Sequence, residues 1–241
     1  MITGANFPPL MPVRIDVQSI VFVFLVVVVL PVGAVRSKSI IASDSPGGRS
    51  APRKSDVLTR ALLVQALLFG LSFVVARSER MALWRWTGLR IANITIAVGA
   101  LAVLLGVGAL SWHLRTPDER RTMWVRHLLP RTTAQWALWL VVSVAAGVAE
   151  ETAYRGVLVV LLASFTASFV LAVLLSAAAF AVVHYPQGAK SMGWVFAIGL
   201  VMQGVVLVTG TLYVAMGVHA VYDVTAAIRA KGRIDGQEGD S

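Results

Sequence analysis

The sequence predicts an all-α fold, a polytopic transmembrane helical bundle with about seven (six to eight) membrane-spanning helices. Three observations carry this reading. Hydrophobic residues make up 57% of the 241 residues and charged residues only 14%, giving a mean hydropathy of +0.77, far from the balance of a soluble domain. Uncharged runs of roughly 17–25 residues, the length at which a helix crosses the hydrocarbon core, recur along the chain. Lys and Arg gather on alternate connections, as they do where cytoplasmic loops retain positive charge. No polar stretch is long enough to build a soluble domain, so residues 1–241 are expected to form one integral membrane domain. Cysteine is absent, which excludes disulfides, thiolate metal ligands and a cysteine nucleophile.

Taken in order, the first span is Val17 to Val35, the second about Ala61 to Ala76 and the third about Ile91 to Ser111. The first contains VFVFLVVVVL, which resembles a signal-peptide core, but twenty residues precede that run and further spans follow, so it reads as a retained anchor. SKSIIASDSPGGRSAPRKSD, rich in Ser, Pro, Gly and basic residues, reads as a flexible loop. A fourth span starts near Thr132 and runs into Glu150, and a fifth ends near His184, with a break expected near Ser164 to Ser168. Ser191 to Ile228 carries no charge but Asp223 and is too long for one span; a turn at Thr209-Gly210-Thr211 divides it. With the N-terminus outside, the inner side collects fourteen Lys and Arg, between Arg36 and Lys54, between Arg115 and Arg131, and from Lys190 to Arg233. The outer side holds five, Arg14, Arg77, Arg80, Arg85 and Arg90. The C-terminus and the tail 229–241 are therefore expected in the cytoplasm of a multi-pass cell-membrane protein. The formal charge of +9, spread over inner loops, fits contact with anionic membrane lipid and not nucleic acid.

Against this background AEETAYRG, residues 149–156, is out of place. A charge at the bilayer centre costs about 2.5–3.5 kcal/mol, so Glu150, Glu151 and Arg155 together need a compensating role. Glu151 and Arg155 are four residues apart on one helix face and can neutralise each other. Glu150 is left over, about 100° away around the helix, and a carboxylate left in that position is suited to act as a general base. His184 follows Phe180 by one turn, and His219 and Asp223 are again four apart on one face. Each histidine alone reads as a helix-packing hydrogen bond; together these groups account for nearly all the ionisable residues of the last four spans. His113 and His127 fall at or in a basic inner loop and read as solvated. Tyr154 and Tyr222 flank the motifs and read equally as packing residues or as donors. Gly156 and Gly217 are expected to permit close helix approach.

Glu150-Glu151-x-x-x-Arg155, Phe180-x-x-x-His184 and His219-x-x-x-Asp223, in that order, resemble the three motifs of the CPBP intramembrane protease family, which includes type II CAAX prenyl endopeptidase-like and bacteriocin-processing or immunity (Abi-like) proteins. The resemblance spans roughly residues 132–228, where the catalytic core would lie, and includes TGTLYVAMGVHAVYD. It implies an intramembrane endopeptidase that hydrolyses a peptide bond of a membrane-associated or lipidated peptide or protein. Carried over, Glu150 with His184 activates water, His219 and Asp223 occupy the positions that stabilise the oxyanion, and Glu151 with Arg155 holds Glu150. Asp223 departs from members with Asn there, because ionised Asp accepts and cannot donate; it is protonated, orients His219, or belongs to a metal site. Glu150, His184 and His219 would make a zinc set with an open water position, but HExxH is absent, and a metal-free, glutamate-activated water fits the same residues. The alternatives are a non-catalytic peptide- or partner-binding protein of the self-immunity type, and a proton-coupled transporter, which would call for inverted repeats that the sequence does not display. Substrate identity and oligomeric state stay open.

Overall fold

The computed structural model describes residues 16–43, 53–84, 88, 90–121 and 128–239, and no strand occurs among them. Helix α1 runs through Val17–Phe24, a π-helical turn Leu25–Val29, and Leu30–Ser43. Helices α2 (Lys54–Ser78) and α3 (Ile91–His113) follow, then the short α4 (Pro117–Arg121). Helix α5 is continuous over Thr133–Glu150, a π-helical segment Glu151–Leu158, and Val159–Thr166. Helices α6 (Phe169–Val183), α7 (Ala189–Thr209) and α8 (Leu212–Gly239) complete the bundle.

The breaks have local causes. After Thr166 the chain enters the left-handed region at Ala167 (φ 51°), and Ser168 caps α6 by accepting a hydrogen bond from the Leu171 N–H. Gly210 takes the same region (φ 67°), where glycine meets no steric penalty, and its N–H closes α7 on the Val206 carbonyl. Both breaks fall where the sequence places them. The connection after the first span is more helical than expected, since α1 persists to Ser43 and α2 already begins at Lys54; the middle of that loop lies outside the described residues.

Five helical stretches are long and apolar enough to cross a membrane: Val17–Arg36, Lys54–Ser78, Ile91–His113, Thr133–Thr166 and Ala189–Thr209. Only 11% to 33% of each is buried within the protein, so the apolar surface faces outwards, through residues such as Leu63, Leu67, Val98, Val141 and Val208. That is the distribution expected where lipid is the solvent. Helix α6 is apolar but shorter, and α8 falls below the same hydropathy because His219, Asp223 and Arg229 interrupt its apolar run.

The polar interior is organised by α5. Its first half packs against α2 and α8, and its second half against α6; α3 lies against α7 and α8, and α1 against α6. Every residue of the π segment Glu151–Leu158 is buried, and Ala153, Val157, Leu158 and Leu161 lie at the centre of the largest apolar cluster. The crossing of α5 and α8 is a backbone contact: a Cβ on Gly147 would stand 2.7 Å from the Met216 carbonyl oxygen. Gly156 also serves close approach, with Leu83 and Leu212 methyl groups 3.2 Å from where its Cβ would be. Gly217 does not, since nothing lies within 4 Å of that position. The close approach expected at Gly217 is not made there; α8 is approached instead by α5 at Gly147, whose hydrogen faces the α8 backbone.

Candidate active site

The Gly147 crossing determines what meets what. One turn beyond Gly147 on α5 come Glu150 and Glu151, and three residues beyond Met216 on α8 comes His219. At the crossing α5 leaves α-helical geometry, and the wider π turn of Glu151–Leu158 begins. Such turns disturb the regular i→i−4 ladder and gather at functional sites. Here the Ser176 hydroxyl of α6 donates to the Tyr154 carbonyl at 2.7 Å, tying the π segment to its neighbour.

Glu151 has no solvent exposure, and its Oε1 takes two donors. Arg155 Nη1 lies 3.1 Å away on the same helix, and His219 Nδ1 lies 2.7 Å away from α8. An ionised carboxylate only accepts, so the proton on this side of the imidazole is at Nδ1. His219 Nε2 then faces two further carboxylates, Glu150 Oε2 at 3.7 Å and Asp223 Oδ2 at 3.8 Å. Both distances are beyond hydrogen-bond length and within strong electrostatic reach. The second oxygen of Glu150, Oε1, accepts a 2.6 Å hydrogen bond from Gln65 Nε2 on α2.

The aromatic wall is Phe180. The Arg155 guanidinium carbon sits 4.2 Å from its ring centroid, a cation–π contact in a site where Arg155 is only 4% exposed. The same ring lies 4.7 Å from His184 and meets His219 and Tyr154 edge-on at 6.4 and 5.0 Å. His184 ends α6, and its Nδ1 is 2.8 Å from the Phe180 carbonyl oxygen. A carbonyl only accepts, so Nδ1–H donates and the neutral ring presents a lone pair at Nε2. Beside these groups is a cavity of about 140 Å³, lined by Arg155, Phe180, His184, Gln187, His219, Tyr222 and Asp223 and by apolar Leu104, Val195, Ile198 and Met202. It has room for several water molecules.

Glu150, Glu151, Arg155, His219 and Asp223 thus form one interacting group, and His184 shares a cavity with His219 and Asp223. The Glu151–Arg155 pair forms as the sequence spacing predicts, although the turn between them is π-helical. The contacts made by Glu150 run to Gln65 and His219, whereas Glu151 holds both Arg155 and His219. Glu151 Oε2 and Arg155 Nη2 are buried with no hydrogen-bond partner among the described residues. Tyr154 is buried against Phe180, and Tyr222 lines the cavity. His113 is exposed at the end of α3, and His127 lies outside the described residues. Sequence reasoning missed Gln65, which was visible as the one polar side chain between Ala61 and Leu71, and Gln187, which had no signal. Among the described residues no three His, Asp or Glu side chains are arranged to hold a metal ion. With Nδ1–H held by Glu151, His219 would offer a metal only its Nε2, as a ligating histidine oriented by a carboxylate does.

Residues 132–225 match the family model described as type II CAAX prenyl endopeptidase Rce1-like. This is the family that the three motifs resemble, and the matched segment holds Glu150, Glu151, Arg155, His184, His219 and Asp223. No curated protein and no solved structure matches the chain.

Proposed function

We propose that this multi-pass membrane protein, Rce1-like across residues 132–225, is an intramembrane endopeptidase that hydrolyses a peptide bond with a glutamate-activated water. The observation that carries the reading is the cavity lined by His184, His219 and Asp223, with Glu150 Oε2 3.7 Å from the His219 ring. Water entering this cavity would meet the Nε2 lone pair of His184, and Glu150, which lies beyond the lining against the His219 ring, would turn Oε2 to that water and accept its proton. Its oxygen attacks the peptide carbonyl carbon while Glu150 takes the proton. The oxyanion formed needs a donor, and His219, held through Nδ1 by Glu151, supplies Nε2–H when both ring nitrogens carry protons. Collapse breaks the C–N bond, and Glu150 returns its proton to the departing amine. Asp223 then serves as the electrostatic partner of His219 and not as an oxyanion donor.

Helix dimensions are consistent with a site within the bilayer, and the distribution of Lys and Arg over the loops favours an opening on the cytoplasmic side. Helix α6 has 15 residues and is roughly 22 Å long, short of the roughly 30 Å hydrocarbon core. A recess at its His184 end, where the 3₁₀ turn Tyr185–Gln187 follows, would suit the cavity there, since non-helical backbone at membrane depth must line a polar space. The apolar walls contributed by α3 and α7 suit a lipid-anchored or otherwise apolar peptide segment.

The experiment is cleavage of a panel of fluorogenic prenylated and unprenylated peptides by the purified full chain in detergent, wild type beside Glu150→Gln, with and without a strong chelator. Wild type is expected to cleave a member of the panel, Glu150→Gln to lose at least about 100-fold, and the chelator to have no effect. Full activity in Glu150→Gln would falsify the assignment of the base. Chelator-dependent loss would return the zinc reading. Absence of cleavage, with Glu150→Gln still protecting cells from a bacteriocin, would favour the partner-binding alternative.

A further inference from the structure

We infer that Gln65, on α2 and outside the segment that carries the family motifs, is the positioning residue for Glu150. The inference rests on the proposed role of Glu150 as base, and its geometric content can be tested apart from that role. Gln65 Nε2 donates to Glu150 Oε1 at 2.6 Å across 85 residues of sequence. The orientation of the amide follows from its partner, because a carboxylate only accepts and so takes the NH₂ end. The two oxygens of Glu150 are thereby divided: Oε1 is bound to α2, and Oε2 is left towards His219. Without Gln65 the carboxylate could rotate about its last bond and present either oxygen to a water.

The residue type fits the task. Lys or Arg at this position would form an ion pair with Glu150 and suppress its basicity, whereas an amide donates one hydrogen bond and brings no net charge. Glu151 shows the contrast, with a cationic Arg155 on its Oε1 and a structural duty towards His219. Gln65 Oε1 is buried and has no partner among the described residues. An amide placed in an apolar run at that cost in desolvation is accounted for by the one strong bond it does make, a hydrogen bond to a charged acceptor.

The test compares wild type, Gln65→Leu and Gln65→Asn, purified as the full chain and shown to be folded and monodisperse. Gln65→Asn keeps the amide but is one methylene too short to reach, so it serves if Gln65→Leu does not fold. The infrared carboxylate stretch belonging to Glu150 is identified as the band that Glu150→Gln removes. In the Gln65 variants that band is expected to shift, because the carboxylate loses its charge-assisted donor. With a farnesylated fluorogenic peptide, kcat is expected to fall about 10- to 100-fold while KM stays within about twofold, since the lost bond is worth roughly 1.5–3 kcal/mol. An unmoved band in both variants overturns the inference whatever the cleavage result. A moved band with wild type cleaving nothing leaves the Gln65–Glu150 bond standing and removes the proteolytic reading instead.

Discussion

At the level of single residues, the site is a problem of placing three carboxylates, an arginine and an imidazole inside a bundle without stranding a charge. The solution is a sharing of donors at Glu151 Oε1, which accepts from both Arg155 and His219. Arg155 is held in turn over the Phe180 ring. Removing one member of a buried pair leaves the other uncompensated, at about 3–5 kcal/mol. Arg155→Ala is therefore expected to lower the melting temperature in detergent by several degrees as well as to reduce activity. Arg155→Lys, which keeps the charge and loses the planar stacking, should fall between Arg155→Ala and wild type. A melting temperature unchanged in Arg155→Ala would show that Glu151 does not depend on it. The pair itself was legible in the sequence, because four-residue spacing puts both ends on one helix face. The partner of Glu150 was not, because nothing in a linear sequence links residue 65 to residue 150.

At the level of elements, the crossing of α5 and α8 builds the site. Gly147 lets the two backbones touch, so that Glu150 and Glu151 face His219 one turn later. Adding a methyl group at residue 147 pushes it to 2.7 Å from the Met216 carbonyl, and backbone cannot yield as a flexible side chain can. Gly147→Ala is expected to cost about 1–3 kcal/mol as overpacking and to impair catalysis by separating Glu151 from His219. Gly217→Ala meets open space and should be neutral, or stabilising by up to about 1 kcal/mol through helix propensity. Thermal unfolding of the two variants side by side decides this, and equal behaviour would refute the crossing as described. Both glycines look alike in sequence; only the rotation of each helix about its axis, a tertiary property, says which of them faces a neighbour. The π segment was equally illegible, since Glu151 and Arg155 come together over four residues in either helical form.

For the whole molecule, the helix order and the basic loops together predict an orientation. Reporter fusions after residue 45 and after residue 83 are expected on opposite sides of the membrane, the first in the cytoplasm; matching signals from both would reject the seven-crossing arrangement. Composition, hydropathy and turn residues determined by themselves that the chain is an all-α membrane bundle, where its helices break near Ala167 and Gly210, and which ionisable residues lie within its last spans. They could do so because lipid requires each span to satisfy its own backbone, so the cost of every buried charge is visible locally. Only the tertiary structure decided how those charges are wired: Gln65 to Glu150, Glu151 to His219, and Phe180 beneath Arg155. Pairings between helices depend on crossing points and axial rotations, set by packing at positions such as Gly147 and not by any pattern along the chain.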